Sequence, residues 1–481
     1  MPPRLSLVAL AAAALLSACA AGPDYVRPTM AVPAAYKESG DWKPADPRPA
    51  ASGLAWWTAY GDPVLDGLEA DADNANQNIR QAEATYRQAK AIVDEDRAGL
   101  FPTLGATFGA ERGRSNTSGV TRTGNSFSLG LAGSWEPDLW GSVRRQVESG
   151  VASAQASADD LAAARLSIQT TLAQDYLQAR IADQQIDLYT STIDAYTKAL
   201  KLTSAQHAAG VALQSDVSLA QAQLSQAQAA AVDLQATRAQ LEHAIAVLTG
   251  RAPAQFTLTA APASQPLALK MPDTPAGLPS ALLEHRPDIA GAERRAAAAN
   301  ANIGVAKAAY FPQLTLSASG GFGAAALGNL FDTPGRVWSL GAALAQTIFD
   351  GGLRTARVAQ AEAAYDITVA QYKQTVLGGF QQVEDELALL RLLNQETAFQ
   401  DQAVRASQQA EQSALAQYRA GTASYLNVVT TQTTLLNNQR TLVQLRGRLV
   451  AASISLVSAT GGGWSASDPL AAPVAASAQA Q

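Results

Sequence analysis

Between Asp138 and Ala252 the chain has no proline, and its larger apolar residues return at helical spacing. Ile186, Tyr189, Ile193, Tyr196 and Leu200 step by three, four, three and four residues, the spacing of a coiled-coil seam. Gly210, followed by Val211, lies inside this run, where a long helix can turn back on itself. Gly335 to Asp468 is a second proline-free run. In it Tyr365, Val369, Tyr372, Val376, Phe380, Val383, Leu387 and Leu390 repeat the seam, and Gly421 is the counterpart of Gly210. Val428, Leu435, Leu442, Leu449 and Leu456 lie seven apart, which predicts left-handed supercoiling. The pattern predicts helices over 141–209, 213–249, 353–420 and 424–460, the longest spanning roughly 100 Å at about 1.5 Å per residue.

The period then changes. After Phe101-Pro102, Leu104, Ala106, Phe108 and Ala110 alternate with Thr103, Gly105, Thr107 and Gly109. Phe127, Leu129, Leu131, Gly133 and Trp135 alternate with Ser128, Gly130, Ala132 and Ser134. Strands are expected at 103–111 and 126–135, joined by a polar loop from Gly113 to Asn125. Phe311-Pro312 leads into the same alternation, with strands expected at 313–322 and 337–346. Helices over 62–98 and 279–309 precede the two hairpins. The strand length and alternation suit a membrane β-barrel with an apolar lipid face and a small, polar lumen face. Trp135 and Trp140, with Trp338 in the second hairpin, are candidates for its aromatic girdle.

The two halves are copies. Phe101-Pro102 and Phe311-Pro312 are offset by 210 residues; Gly210 and Gly421, and Thr249-Gly250 and Thr460-Gly461, by 211. The reading divides the chain into a first repeat over 62–250, a Pro/Ala-rich linker over 251–277, a second repeat over 278–461 and a disordered tail over 462–481. Four strands cannot close a barrel, and an open edge in lipid leaves unpaired amides. Chains must therefore associate; three copies would supply twelve strands and a matching ring of long helices. The fold class expected is mostly α with a membrane β-barrel, in two tandem repeats that each join a long α-helical hairpin to a two-stranded β-hairpin.

Composition narrows the function. Only 16% of residues are charged and the net charge is −6, so nucleic-acid binding is not expected. Three His and one Cys leave no cluster for a metal site. Arg4, the apolar run Leu5–Leu16 and Leu16-Ser17-Ala18-Cys19 read as a signal peptide over 1–18. The last four resemble a bacterial lipobox that leaves Cys19 as a lipidated N-terminus. Residues 19–61 then read as an extended tether, and Ala20 favours the outer membrane. No other segment looks apolar enough for a spanning helix.

These features together resemble the outer-membrane efflux lipoproteins of the TolC-like family. The resemblance rests on Cys19 with Gly22-Pro23-Asp24-Tyr25, Trp56-Trp57 with Asp62-Pro63, Trp135-Glu136 with Asp138-Leu139-Trp140-Gly141, Arg286-Pro287-Asp288-Ile289, Asp350-Gly351-Gly352 and Tyr418-Arg419-Ala420-Gly421. It implies a homotrimer in outer-membrane lipid, with a trimeric 12-strand β-barrel continuous with a 12-helix α-barrel. It also implies a periplasmic adaptor and an inner-membrane pump, typically proton-driven and of the RND type, as partners. The chain would be the passive conduit, with no cofactor. The two helical tips, 207–217 and 418–428, would form the gate and adaptor contact, with Gly210, Val211, Asp216, Tyr418, Arg419, Gly421, Thr422 and Asn427 as candidates. Asp216, repeated around a narrow mouth, would favour cations; its alternative role is at a helix N-terminus. Many relatives have an acidic residue where this chain has Thr430, and His285 replaces a frequent Arg.

Motifs for enzyme chemistry are lacking: no Walker loop, Gly-x-Ser-x-Gly elbow or His-Glu-x-x-His pair is present. Glu384-Asp385-Glu386 reads as a solvated helix face. The expected function is an efflux channel for small toxic compounds. The alternatives are a channel for type I protein secretion or metal efflux, and a structural coiled-coil lipoprotein.

Overall fold

The computed structural model describes residues 21–39, 55–117, 120–261 and 282–464. The signal peptide, Cys19 and the tail beyond Trp464 lie outside the described residues. The elements come in two matching sets. The first is α1 (Pro63–Ala75), α2 (Gln77–Ala98), β1 (Thr103–Thr117), β2 (Val120–Trp135), α3 (Ser142–Ala208) and α4 (Gln214–Leu248). The second is α5 (Leu282–His285), α6 (Pro287–Ala308), β3 (Gln313–Ala324), β4 (Arg336–Ala345), α7 (Leu353–Arg419) and α8 (Tyr425–Ala459). The long helices match in length, 67 residues for α3 and α7 and 35 for α4 and α8.

The seams read from the sequence are contacts. Tyr189 and Tyr196 on α3 are buried against Leu224, Ala227 and Ala231 of α4. Val383, Leu387 and Leu390 on α7 pack on Leu445 and Leu456 of α8. α8 does carry an apolar stretch of membrane-spanning length, against the sequence expectation. Just over half of that stretch is buried, through Leu442, Leu445, Val450, Ile454 and Leu456, so it serves as a core helix.

The helix expected over 62–98 is two helices. Asn76 is extended (φ −64°, ψ 128°), and its side chain accepts from the backbone N–H of Asn78 and Ile79, starting α2 afresh. Its amide donates to Leu248 O at 2.8 Å, which seats the break on the end of α4. The helix expected over 279–309 breaks at Arg286, since Pro287 disfavours helix in the residue before it. Arg286 is buried and bridges three helices, donating to Ala459 O and Gln382 Oε1 and pairing with Asp288.

Three segments expected to be loose are packed. The tether runs along the helices: Tyr25 donates to Glu293 Oε1 at 2.6 Å, Arg145 pairs with Asp24, and Tyr36 enters the α7–α8 core. Trp56, Trp57 and Tyr60, placed in the tether by sequence, form a core with Leu65, Leu172 and Tyr176. The linker's Phe256 and Leu258 join that core, and at the tail's start Trp464 is buried. Aromatic residues among prolines and alanines bury area wherever a helix face is open to them, and segment composition hides this.

Candidate functional site

The sheet order is β1-β2-β3-β4, antiparallel throughout. Cross-strand partners share a face, so the register assigns side chains to rows. Leu104, Gly133, Ala318 and Leu340 form one row, and Ala106, Leu131, Gly320 and Trp338 the next. Trp135, Leu316 and Ala342 form a third. The opposite face has Thr107, Gly130, Gly321 and Val337 in one row, Val337 being its one large apolar member, and Ser134, Ser317 and Gly341 in another. Ser319 and Ser339 hydrogen-bond across it at 2.8 Å. Four alternating strands thus merge into one apolar and one small, polar face. Gly321 is required by close approach: a Cβ there would lie 2.3 Å from Leu129 O.

The first hairpin departs from expectation. β1 and β2 continue to Thr117 and Val120, through most of the stretch read as a polar loop. Backbone pairing needs no apolar side chain, so the ladder runs on past the point where the lipid-type pattern stops.

The tryptophans separate. Trp338 is 78% exposed on the apolar face. Trp135 is 38% exposed, and its indole donates to Leu100 O. Trp140 lies below the strands, stacked on Phe311 at 4.9 Å and donating to Pro312 O. It locks the helix–strand junction and does not belong to the apolar face of the sheet.

At the far end of the long helices, Gly210 (φ +75°) and Gly421 (φ +76°) terminate α3 and α7 in the left-handed region. Gly210 N–H donates to His207 O and Val211 N–H to Gln206 O; Gly421 and Thr422 do the same to Tyr418 O and Gln417 O. This doubled bond is the Schellman closure, which satisfies two terminal carbonyls and favours glycine. Val211, Leu213 and Leu426 are exposed apolar residues, and Arg419, Thr422 and Asn427 are also exposed. Asp216 is the third residue of α4, and its carboxylate accepts from Leu213 N–H at 3.4 Å, a capping role. Thr430 donates to Leu426 O one turn back.

Tyr418 is the exception among the tip candidates. It is buried, its ring is 5.2 Å from Tyr425, and its hydroxyl donates to Gln206 Oε1. Thr203 is fully buried beside it, with Oγ1 3.4 Å from the Tyr418 hydroxyl. Burial, with Tyr418 next, pushes the Tyr425 hydroxyl up to about 12, so it stays protonated. The second tip is thereby bonded to the first. Gln206 and Thr203 lie outside the tip segment read from sequence, and nothing in their own neighbourhood marks them.

A polar clasp at mid-length was also missed. Asp183 of α3 is buried between Arg180 and Arg238. Arg180 donates to Thr259 O and Arg238 to Leu258 O, while Ala261 N–H donates to Asp183. Glu384 likewise receives the backbone N–H of Lys37 and Glu38, and burial raises the pKa of Glu386, so the acidic run is not simply a solvated face. His207 and His285 each meet a backbone carbonyl, of Ala212 and Trp464. Among the described residues no group of His, Cys, Asp and Glu could hold a metal ion.

A two-faced sheet of membrane-strand length, continued by duplicated helical hairpins about 100 Å long, defines a membrane-channel subunit. The chain belongs to the outer membrane efflux protein family, which it matches over residues 70–251 and 278–462. It is similar to the pyoverdine export outer membrane protein OpmQ of Pseudomonas aeruginosa, at 34% identity across 96% of this chain and 97% of the relative. The toluene efflux pump outer membrane protein TtgC of Pseudomonas putida is 30% identical across 95% of this chain and 96% of its own length. Among solved structures, the outer-membrane channel OprN superposes with a TM-score of 0.86 at 30% identity, covering 93% of this chain and all of that one. The chain is therefore an outer-membrane efflux channel component that acts within efflux pump systems, and is not an enzyme.

Proposed function

We propose that three copies form a passive exit duct for small toxic compounds, fed by a periplasmic adaptor and a proton-driven inner-membrane pump. The observation that carries this is the sheet: four strands with a lipid-type face, two open edges and a duplicated set of long helices beneath. Closure by three chains pairs every edge amide, which lipid requires. Cys19 carries the lipid anchor, and Ala21, two residues on, is held by Trp140 O at 3.0 Å. That hold puts Ala21 at the helix–strand junction, where the membrane surface would lie. The exposed Val211, Leu213 and Leu426 at the tips are the adaptor contact, and the bonded pair of tips is the closed gate.

The names of relatives cover pyoverdine export and toluene efflux, which favours small-molecule cargo over protein. Dye accumulation and toxic-compound susceptibility in a deletion strain, with secreted protein quantified in parallel, test this. Raised accumulation with normal secretion is expected. Normal accumulation with a secreted protein missing would assign the duct to protein export instead. Deleting the hairpin Thr103–Ser134 should abolish rescue of efflux by the cloned chain.

A further inference from the structure

The first hairpin continues past the apolar band, and what it carries there has a definite side. Arg112 and Arg114 fall on the same alternation as Leu104, Ala106, Phe108 and Ala110, so they share the apolar face. Their partners, Asn125 and Thr123, follow Phe127 on that face. Arg336 opens β4 in the row of Phe322, Leu129 and Phe108, two residues before Trp338 on the same side. All three arginines lie toward the strand ends remote from the helices, since β1 enters the sheet from α2 at Thr103. Among the four strands the one carboxylate, Glu111, belongs to the opposite face.

Height agrees with side. Leu104 to Arg112 covers roughly 27 Å of strand at about 3.4 Å per residue, or about 21 Å of height for a strand tilted by about 40°; Arg114 lies about 5 Å higher. An outward apolar band is about 25 Å tall, so Arg112 and Arg114 stand at its outer border. Arg336 is placed by its own strand, where it follows Leu344, Ala342, Leu340 and Trp338 on the apolar face, the same eight residues from Leu344 as Arg112 is from Leu104. Arg112, Arg114 and Arg336 are exposed, and among the described residues none has an ion pair or side-chain hydrogen-bond partner. Guanidinium groups left unpaired at a membrane border match phosphate oxygens, which they bind through two parallel hydrogen bonds. A role in drawing anionic cargo through the lumen does not fit, because the arginines are on the other face of the sheet.

We propose that Arg112, Arg114 and Arg336 form a phosphate-binding belt on the lipid-facing rim of the barrel, which holds the phosphorylated headgroup of the outer-leaflet glycolipid. The inference rests on the apolar face being the lipid side. Purified full-length protein in detergent is titrated with bis-phosphorylated lipid A and, separately, with lipid A stripped of both phosphates, binding being read by native mass spectrometry. Wild type should prefer the phosphorylated form, and the triple variant Arg112→Gln/Arg114→Gln/Arg336→Gln should bind it at least about tenfold more weakly. The matching Arg→Lys variant should retain much of the preference, and both variants should keep wild-type helix content and oligomeric mass. Equal binding of the two lipids by wild type, or undiminished binding by the Gln variant, would overturn the belt. Quenching of Trp338 by brominated acyl chains, measured against Trp338→Phe, tests the face independently. Without that quenching the barrel orientation itself fails; with quenching but no phosphate preference, only the belt fails.

Discussion

Glu69 sits on α1 with no exposed surface and no hydrogen-bond partner for either carboxylate oxygen. Burial, with Asp73 nearby, pushes its pKa from 4.5 to about 9. The folded chain therefore holds a proton that the unfolded chain releases. This stabilisation is fully present below pH 4.5 and is lost as pH rises through about 9. Glu69→Gln, neutral at every pH, should flatten the fall of the thermal-unfolding midpoint across that window. An unchanged slope would remove Glu69 as its source. Two glycines make a second residue-scale contrast. At Gly421 a Cβ meets nothing within 4 Å, so Gly421→Ala costs only the left-handed backbone, about 1 kcal/mol. At Gly461 a Cβ would lie 1.8 Å from His285 O, so Gly461→Ala should cost about 3 kcal/mol or more. Unfolding midpoints should rank wild type, Gly421→Ala, then Gly461→Ala. Both glycines were legible from the repeat; their different surroundings were not, because the neighbour at Gly461 comes from α5, some 175 residues earlier in the chain.

Among the elements, long helices and alternating strands were the readable part, since their periods are written in consecutive residues. Boundaries set by a single side chain were harder. Asn76 looks like any polar helix residue until its side chain is seen to cap α2 and its amide to reach Leu248. The segment from Phe256 to Ala261 reads as linker, yet Asp183, Arg180 and Arg238 hold it through four hydrogen bonds to backbone or to each other. Arg238→Ala leaves Leu258 O and Asp183 short of a donor. Amide exchange at Phe256–Ala261 should then quicken while the helices behind it stay protected. Equal exchange in variant and wild type would show that apolar burial of Phe256 and Leu258 suffices.

For the whole molecule, one chain leaves β1 and β4 as open edges on a sheet of four. Three-fold closure predicts that the detergent-solubilised protein has the mass of three chains and migrates as such until heated. A stable monomer would contradict it. The tips belong to this scale too. Tyr418→Phe removes the hydroxyl that joins Gln206 and Thr203 while keeping the ring against Tyr425. If that bond holds the tips shut, single-channel openings in a planar bilayer should become more frequent with conductance per opening unchanged.

What the sequence by itself determined is the repeat, the two periods and the glycine turns. It also marked the contrast between apolar and small-polar strand faces, which are local properties of spacing and side-chain type. Tertiary structure alone decided which strand row meets which, so that Arg112, Arg114 and Arg336 gather on one face and Glu111 on the other. It also decided that Tyr418 is bonded and buried while Val211 and Arg419 are exposed. And it turned tether, linker and tail start into packed straps. The physical reason is common to all three. Period and turn chemistry act over a few residues, whereas burial, register and hydrogen-bond partnership depend on residues brought together from hundreds of positions apart.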